Sequence, residues 1–61
     1  DTIAEMCFYF YQLGAKNKSK DYFEKQILIS TGNENEDFSI DEKGIYNDGY
    51  IAILWKYFSL A

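Results

Sequence analysis

The last twelve residues, YIAILWKYFSLA, restrict the fold of this chain more than any other segment. At the spacing of an α-helix they form two apolar faces, which only Lys56 and Ser59 interrupt. The first face carries Tyr50, Ile53, Leu54, Tyr57 and Ala61, and the second carries Ile51, Trp55 and Phe58. A helix that is apolar on two faces needs neighbours on both sides. The sequence therefore predicts a helix near residues 48–61 whose second face is an interface, covered by another chain or by a missing C-terminal segment.

Two more helices are predicted before this segment. In the first, near residues 2–14, apolar residues recur at positions i, i+3, i+4, i+7 and i+10, namely Ile3, Met6, Cys7, Phe10 and Leu13. Gly14 is expected to end this helix in a left-handed conformation. The second helix, near residues 18–31, is expected to begin at Asn17 or Ser19 and to end at Gly32. A short polar connector joins the two helices, which indicates an antiparallel helical hairpin.

The predicted fold class is all-α, a three-helix fragment or small helical bundle that contains this hairpin. The 61 residues are expected to form one helical domain or a fragment of one. On folding, a chain of this length buries only about 60% of the surface that its unfolded form exposes. Cys7 is the single cysteine, so no disulfide can form within the chain, and the lack of histidine excludes the common zinc sites. Phe8, Tyr9 and Tyr11 enlarge the apolar surface of the first helix. These features predict a homo-oligomer, or docking on a missing segment, within a larger helical assembly.

Residues 33–44, NENEDFSIDEKG, form a predicted acidic linker. Its carboxylates are the candidate residues for binding a protein partner: Glu34, Glu36, Asp37, Asp41 and Glu42. Compared with the twelve-residue calcium loop of an EF-hand, Phe38 stands where the turn needs glycine, and Gly44 stands where the bidentate glutamate belongs. We therefore expect a solvated, mobile loop without a metal site. A short hairpin that pairs Phe38 and Ile40 with Ile45 across DEKG is the alternative.

Composition argues against several classes of function. The formal net charge is −4 and the chain has no arginine, which argues against nucleic-acid binding. Without histidine, and with no serine beside a visible base, we expect no catalytic residue and no cofactor. The apolar C-terminal run is too short for a bilayer span of roughly 20 residues. Because no targeting segment is recognisable, we expect a cytoplasmic protein without membrane contact.

Residues 8–30 are similar to a single tetratricopeptide repeat. Four residues match its aromatic, turn-glycine, small and second aromatic positions, namely Phe10, Gly14, Ser19 and Phe23. Gln26 and Thr31 depart from the repeat, because a small residue and a proline usually stand there. No second copy follows at the 34-residue period. This resemblance implies a helical hairpin that serves as a scaffold.

A longer part of the chain resembles the N-terminal half of the PoNi-like immunity proteins. In that pattern a first helix ends in tyrosine and glycine, a second carries lysine and phenylalanine, and a third carries tyrosine, leucine–tryptophan and a final Ser-Leu-Ala. The matching residues are Tyr11, Gly14, Lys20, Phe23, Tyr50, Leu54, Trp55, Ser59, Leu60 and Ala61. Phe10 departs from the pattern, because an arginine usually precedes the tyrosine. PoNi-like proteins are all-helical and neutralise PoNe-type DNase toxins in bacterial competition, so the resemblance implies a non-enzymatic toxin inhibitor.

Two hypotheses follow for the function. In the first, the chain is an acidic immunity protein whose linker carboxylates occupy a basic site on a toxin. In the second, it is a helical-repeat or oligomerising scaffold without a toxin partner, which depends on its aromatic faces. Neutralising the acidic residues should weaken binding, and salt should slow association, only under the first hypothesis.

Overall fold

Three α-helices make up most of the chain in the computed structural model, which describes residues 2–61. Helix α1 spans Thr2–Lys16, helix α2 spans Lys20–Thr31 and helix α3 spans Gly49–Leu60. Within residues 2–61 there is no strand, and β pairing is limited to an isolated antiparallel bridge between Ile40 and Tyr46. The all-α, three-helix prediction is confirmed. Helix α1 packs mainly against α3, and α2 contacts α3 to a smaller extent.

Local hydrogen bonds fix the starts of α2 and α3. The Ser19 hydroxyl accepts a hydrogen bond from the Tyr22 amide at 3.3 Å, and Ser19 itself has the extended backbone of an N-cap residue. The Asp48 carboxylate accepts hydrogen bonds from the Tyr50 and Ile51 amides at 2.9 and 3.2 Å. These bonds satisfy amides in the first turn that have no acceptor within their own helix. Ser19 is one of the two residues at which the second helix is expected to begin, and Asp48 stands at the first residue of the predicted third helix.

Gly14 and Gly32 are both expected to end helices, but only Gly32 does so. Gly32 has φ 68°, and its amide donates to the Leu28 carbonyl at 2.9 Å. Helix α1 instead continues through Gly14 to Lys16, and Gly14 is buried. A Cβ atom at Gly14 would overlap the carbonyl oxygen of Phe58 and would lie 2.9 Å from its carbonyl carbon. The prediction for Gly14 is therefore wrong, because this glycine allows a close approach between α1 and α3.

Eight apolar side chains from all three helices and from the connection before α3 form the core. They are Phe10, Leu13, Phe23, Ile27, Tyr46, Ile51, Leu54 and Phe58. The ring of Phe23 lies at the centre, since it contacts rings of α1, α3 and the connection at centroid distances of 4.9–5.7 Å. On α1 the predicted stripe is buried at Phe10 and Leu13, whereas Ile3 at its start is exposed. Helical periodicity thus identified the buried face of α1 toward its C-terminal end.

The connection between α2 and α3 folds back on itself as a short hairpin. The Asp41 amide donates to the Ile45 carbonyl at 2.8 Å, and the isolated bridge pairs Ile40 with Tyr46. This segment therefore forms a hairpin, as the alternative predicted, but Tyr46 rather than Ile45 lies opposite Ile40. The reason is packing, because Tyr46 is buried in the core while Ile45 is exposed. Burial of one side chain of a paired segment fixes its register.

Candidate protein-binding surfaces

The five candidate partner-binding carboxylates lie along the acidic loop, which we define as residues 33–44. Four of them are exposed and one is half-buried: Glu34, Asp37, Asp41 and Glu42 are exposed, and Glu36 is half-buried. Within residues 2–61, no three or more acidic or cysteine side chains are close enough together to hold a metal ion. The carboxylates are thus distributed along the loop rather than directed at one point.

The tip of the acidic loop is a tight turn that Asp41 closes. The Gly44 amide donates to the Asp41 carbonyl at 3.0 Å, and Gly44 has φ 81°, in the left-handed region that favours glycine. The Asp41 carboxylate accepts hydrogen bonds from the Lys43 and Ile45 amides at 2.8 and 3.0 Å. A three-residue hairpin turn with glycine in this conformation is a common connection. Asp41 therefore shapes the loop in addition to carrying charge.

Two other carboxylates also form hydrogen bonds within the loop. The Ser39 amide donates to Asp37 Oδ1 at 2.9 Å, and Asn33 Nδ2 donates to Glu36 Oε1 at 3.2 Å. Hydrogen bonds from the Ser39 side chain and then from its amide hold the pKa of Asp37 below its usual 3.8, because they favour the charged form. Asp37 therefore stays charged at neutral and mildly acidic pH. Together with Asp41, these side chains give the acidic loop a defined conformation before any partner binds.

Tyr46 anchors the acidic loop to the core. Its ring centroid lies 5.7 Å from that of Phe23 and 5.9 Å from that of Trp55. Its hydroxyl donates to Glu24 Oε2 at 2.8 Å, and Lys20 Nζ lies 5.2 Å from the ring centroid. Tyr46 was not predicted from the sequence to be a core residue, because it lies outside the helical periodicities. The available signal was an aromatic residue just after the turn sequence DEKG.

Alkaline pH is expected to destabilise the fold through Tyr46. Burial, followed by the hydrogen bond to Glu24 and the charge of Glu24, raises the pKa of Tyr46 well above its ordinary value of 10.0. The folded state thus holds this proton more tightly than the unfolded state. The contribution of Tyr46 is therefore complete below pH 10.0 and is lost as the pH rises toward its folded-state pKa. Urea denaturation at neutral pH and at a series of alkaline pH values measures the effect.

The Tyr46→Phe variant is the control for this titration. It keeps the ring but carries no titrating hydroxyl, so its free energy of unfolding should fall less steeply above pH 10.0 than that of the parent protein. Parallel pH profiles for the two proteins would contradict the prediction, since the loss would then come from other groups.

Most of the predicted apolar interface belongs to the core. Ile51 and Phe58 are fully buried within the chain, so the prediction that another chain covers them is wrong. Trp55 is half-buried, and its ring stacks on that of Phe58 at 5.5 Å and contacts that of Phe23 at 4.9 Å. The physical reason is that α2 and the segment after the acidic loop supply the cover, through Phe23 and Tyr46. The polar sequence of this connection had predicted a solvated loop without a core residue.

An exposed apolar groove lies between α1 and α3, and we call it the α1–α3 groove. Its volume is about 440 Å³, and its lining comprises Ile3, Ala4, Cys7, Phe8 and Tyr11 of α1 with Ile53 and Tyr57 of α3. The sequence had assigned Ile53 and Tyr57 to the covered face of α3, but both are exposed. Leu54, on the same predicted face, is fully buried, so the open part of α3 is the edge formed by Ile53 and Tyr57 rather than the predicted face of Ile51 and Phe58. The large residues Phe8 and Tyr11, beside the core stripe of α1, were the signal for this surface.

Comparisons with known proteins assign no family to this chain. No family model matches it, and neither the curated proteins nor the solved structures contain a significant match. Among the described residues, none of the helices has the length and apolar character needed to cross a bilayer. The two surfaces, the acidic loop and the α1–α3 groove, therefore provide the basis for a functional proposal.

Proposed function

We propose that this chain is a non-catalytic protein-binding module. The α1–α3 groove carries the proposal, since its uncharged lining is open to solvent beside a well-buried core of eight side chains. Contiguous exposed apolar surface on a small protein is typical of a binding interface. The side-chain chemistry favours binding over catalysis, because the chain has no histidine and its loop carboxylates do not converge on one point.

The partner that we propose for the acidic loop is a basic toxin. The loop holds five carboxylates, and the chain as a whole has a formal net charge of −4. A surface of this kind attracts a basic partner and accelerates association. The resemblance to PoNi-like immunity proteins supports the same class of partner, a PoNe-type DNase. A DNase needs positive charge where it holds the DNA backbone, and an acidic loop seated there would exclude DNA.

A helical scaffold without a toxin partner is the second candidate function. The α1–α3 groove favours it, because this groove is formed entirely by residues outside the acidic loop. Under this hypothesis apolar contacts through the helices carry the assembly, and the acidic loop contributes mainly to solubility. The two candidates differ in whether the loop carboxylates affect binding.

Binding to purified PoNe-type DNase domains tests the toxin hypothesis. The Glu34→Gln/Glu42→Gln variant removes two exposed loop charges, which changes the net charge from −4 to −2, and it preserves the hydrogen bonds of Asp41. The matched control, Glu5→Gln/Asp21→Asn, makes the same charge change at exposed helical positions. We expect association of the loop variant to be about tenfold slower than that of the control, and less dependent on salt. Biolayer interferometry at low and high ionic strength measures both quantities.

Two results would count against the toxin hypothesis. One is equal association rates for the loop variant and the control. The other is a panel of PoNe-type domains in which none binds the parent chain. Either result would leave the scaffold hypothesis as the account of the exposed surfaces.

A further inference from the structure

The α1–α3 groove combines a concave floor with protruding side chains. Its floor includes the small residues Ala4 and Cys7, and Cys7 is half-buried. The most exposed aromatic side chain of its rim is Phe8, with 64% of its surface accessible. Phe8 follows Ala4 by four residues, so the two lie on one face of α1, one turn apart. The same patch therefore presents both a projection and a depression of matching apolar character.

We propose that a second copy of this chain occupies the α1–α3 groove and forms a two-fold symmetric dimer. In such a dimer each chain uses the same patch, and the contacts are reciprocal. Phe8 of each chain packs over the floor formed by Ala4 and Cys7 of the other, and Tyr11 and Tyr57 surround this contact. The inference rests on the proposed function only in treating the groove as a protein interface. It does not depend on whether the acidic loop binds a toxin.

The exposed area of the groove fits a weak dimer. The exposed fractions are 64% for Phe8, 44% for Ile53 and 38% for Tyr57, and Tyr11 and Ile3 are also exposed. Because large side chains present about 150–250 Å² each, these five residues offer on the order of 500 Å² per chain. Two copies would bury about 1,000 Å², which is the size of weak, transient protein–protein interfaces. The groove therefore predicts a dimer of low affinity.

The distribution of charge allows two acidic chains to meet at this face. Carboxylates and lysines are absent from the groove lining. The acidic loop is anchored through Tyr46 on the Trp55 side of α3. Ile53 and Tyr57 are each two residues from Trp55 along α3, and they therefore point about 160° away from it. A dimer formed through the groove would keep the two acidic loops apart, so their mutual repulsion would be small at physiological salt.

Sedimentation equilibrium over micromolar to millimolar concentrations, in the presence of a reductant, tests the dimer. The reductant prevents a disulfide between Cys7 residues from mimicking non-covalent association. We expect the parent protein to change from 7.2 kDa to twice that mass as its concentration rises. Ile53→Glu should raise the dissociation constant at least about tenfold, because it places an unpaired carboxylate in a dry interface. Phe8→Glu should have the same effect from the opposite rim of the groove.

Ile29→Glu is the matched control for Ile53→Glu. Ile29 is an isoleucine of α2, 65% exposed and outside the groove, so this variant should dimerise like the parent. Circular dichroism should show the same helix content in all four proteins, since each substitution is at an exposed position. A parent protein that stays monomeric throughout, or a dimer that both groove variants leave unchanged, would overturn the proposal. If a groove variant is monomeric and still binds a PoNe-type domain, the result supports the dimer through the groove and toxin binding through the acidic loop as two independent properties.

Discussion

Replacing Phe23 by alanine is expected to destabilise the fold by about 3–5 kcal/mol, the usual cost of removing a buried phenylalanine ring. Phe23 is fully buried, and four other rings surround it: those of Phe10, Tyr46, Trp55 and Phe58. The cavity left by Phe23→Ala would therefore border all three helices and the segment after the acidic loop. A domain of this length has a total stability of roughly 3–9 kcal/mol. The substitution should therefore remove at least about a third of this stability.

Urea denaturation measures this change in free energy. Two signals follow it, the fluorescence of Trp55, which is the single tryptophan, and the helical circular dichroism. Ile29→Ala is the matched control, because Ile29 lies on the same helix and is exposed, and its truncation should change the stability by no more than about 0.5 kcal/mol. Similar midpoints for Phe23→Ala and Ile29→Ala would show that Phe23 is not the centre of the core.

Replacing Gly14 by alanine is expected to cost about 3 kcal/mol, near the upper end of the range for overpacking. The added methyl group would overlap backbone atoms of Phe58, and backbone atoms cannot turn aside as the end of a flexible side chain can. Helices α1 and α3 would have to separate, and this would loosen the largest helix–helix contact of the fold. Alanine is the better helix former by about 0.8–1.0 kcal/mol, so the gain in propensity offsets only part of the cost.

Thermal denaturation of Gly14→Ala beside Gly49→Ala measures this effect. Gly49 is the first residue of α3, and a Cβ atom there would have no neighbour within 4 Å. The Gly49→Ala variant should therefore be as stable as the parent or slightly more so. Because the net loss is about 2 kcal/mol and 1 kcal/mol corresponds to about 4–8 °C in a domain of this size, the Tm of Gly14→Ala should be lower by about 8–16 °C. A Gly14→Ala variant that melts with or above Gly49→Ala would rule out the close approach of α1 and α3.

The features that the sequence determined by itself are those with local causes. The helical periods of α1, α2 and α3 are visible in the apolar pattern. The caps at Ser19 and Asp48 and the left-handed stop at Gly32 depend only on residues within one turn. The five acidic residues lie in the connection between α2 and α3, as the helix positions predict, and their role in binding remains a prediction.

The tertiary structure decided which of two similar apolar faces points inward. On α3, the face of Ile51 and Phe58 and the face of Ile53 and Tyr57 have comparable hydrophobicity, so periodicity cannot rank them. The choice is made by Phe23, which lies far away in sequence and covers the face of Ile51 and Phe58 through its contact with the Phe58 ring. The role of Gly14 depends in the same way on a distant neighbour.

The arrangement of the acidic loop also follows from a contact that is distant in sequence. The Tyr46 hydroxyl donates to Glu24, 22 residues earlier in the chain, and its ring fills a space between α2 and α3. Such a contact leaves no periodic trace, because one residue outside a helix supplies it. Local hydrogen bonding and apolar spacing therefore determined the three helices. Only their packing determined which apolar surface was buried and which stayed open as the α1–α3 groove.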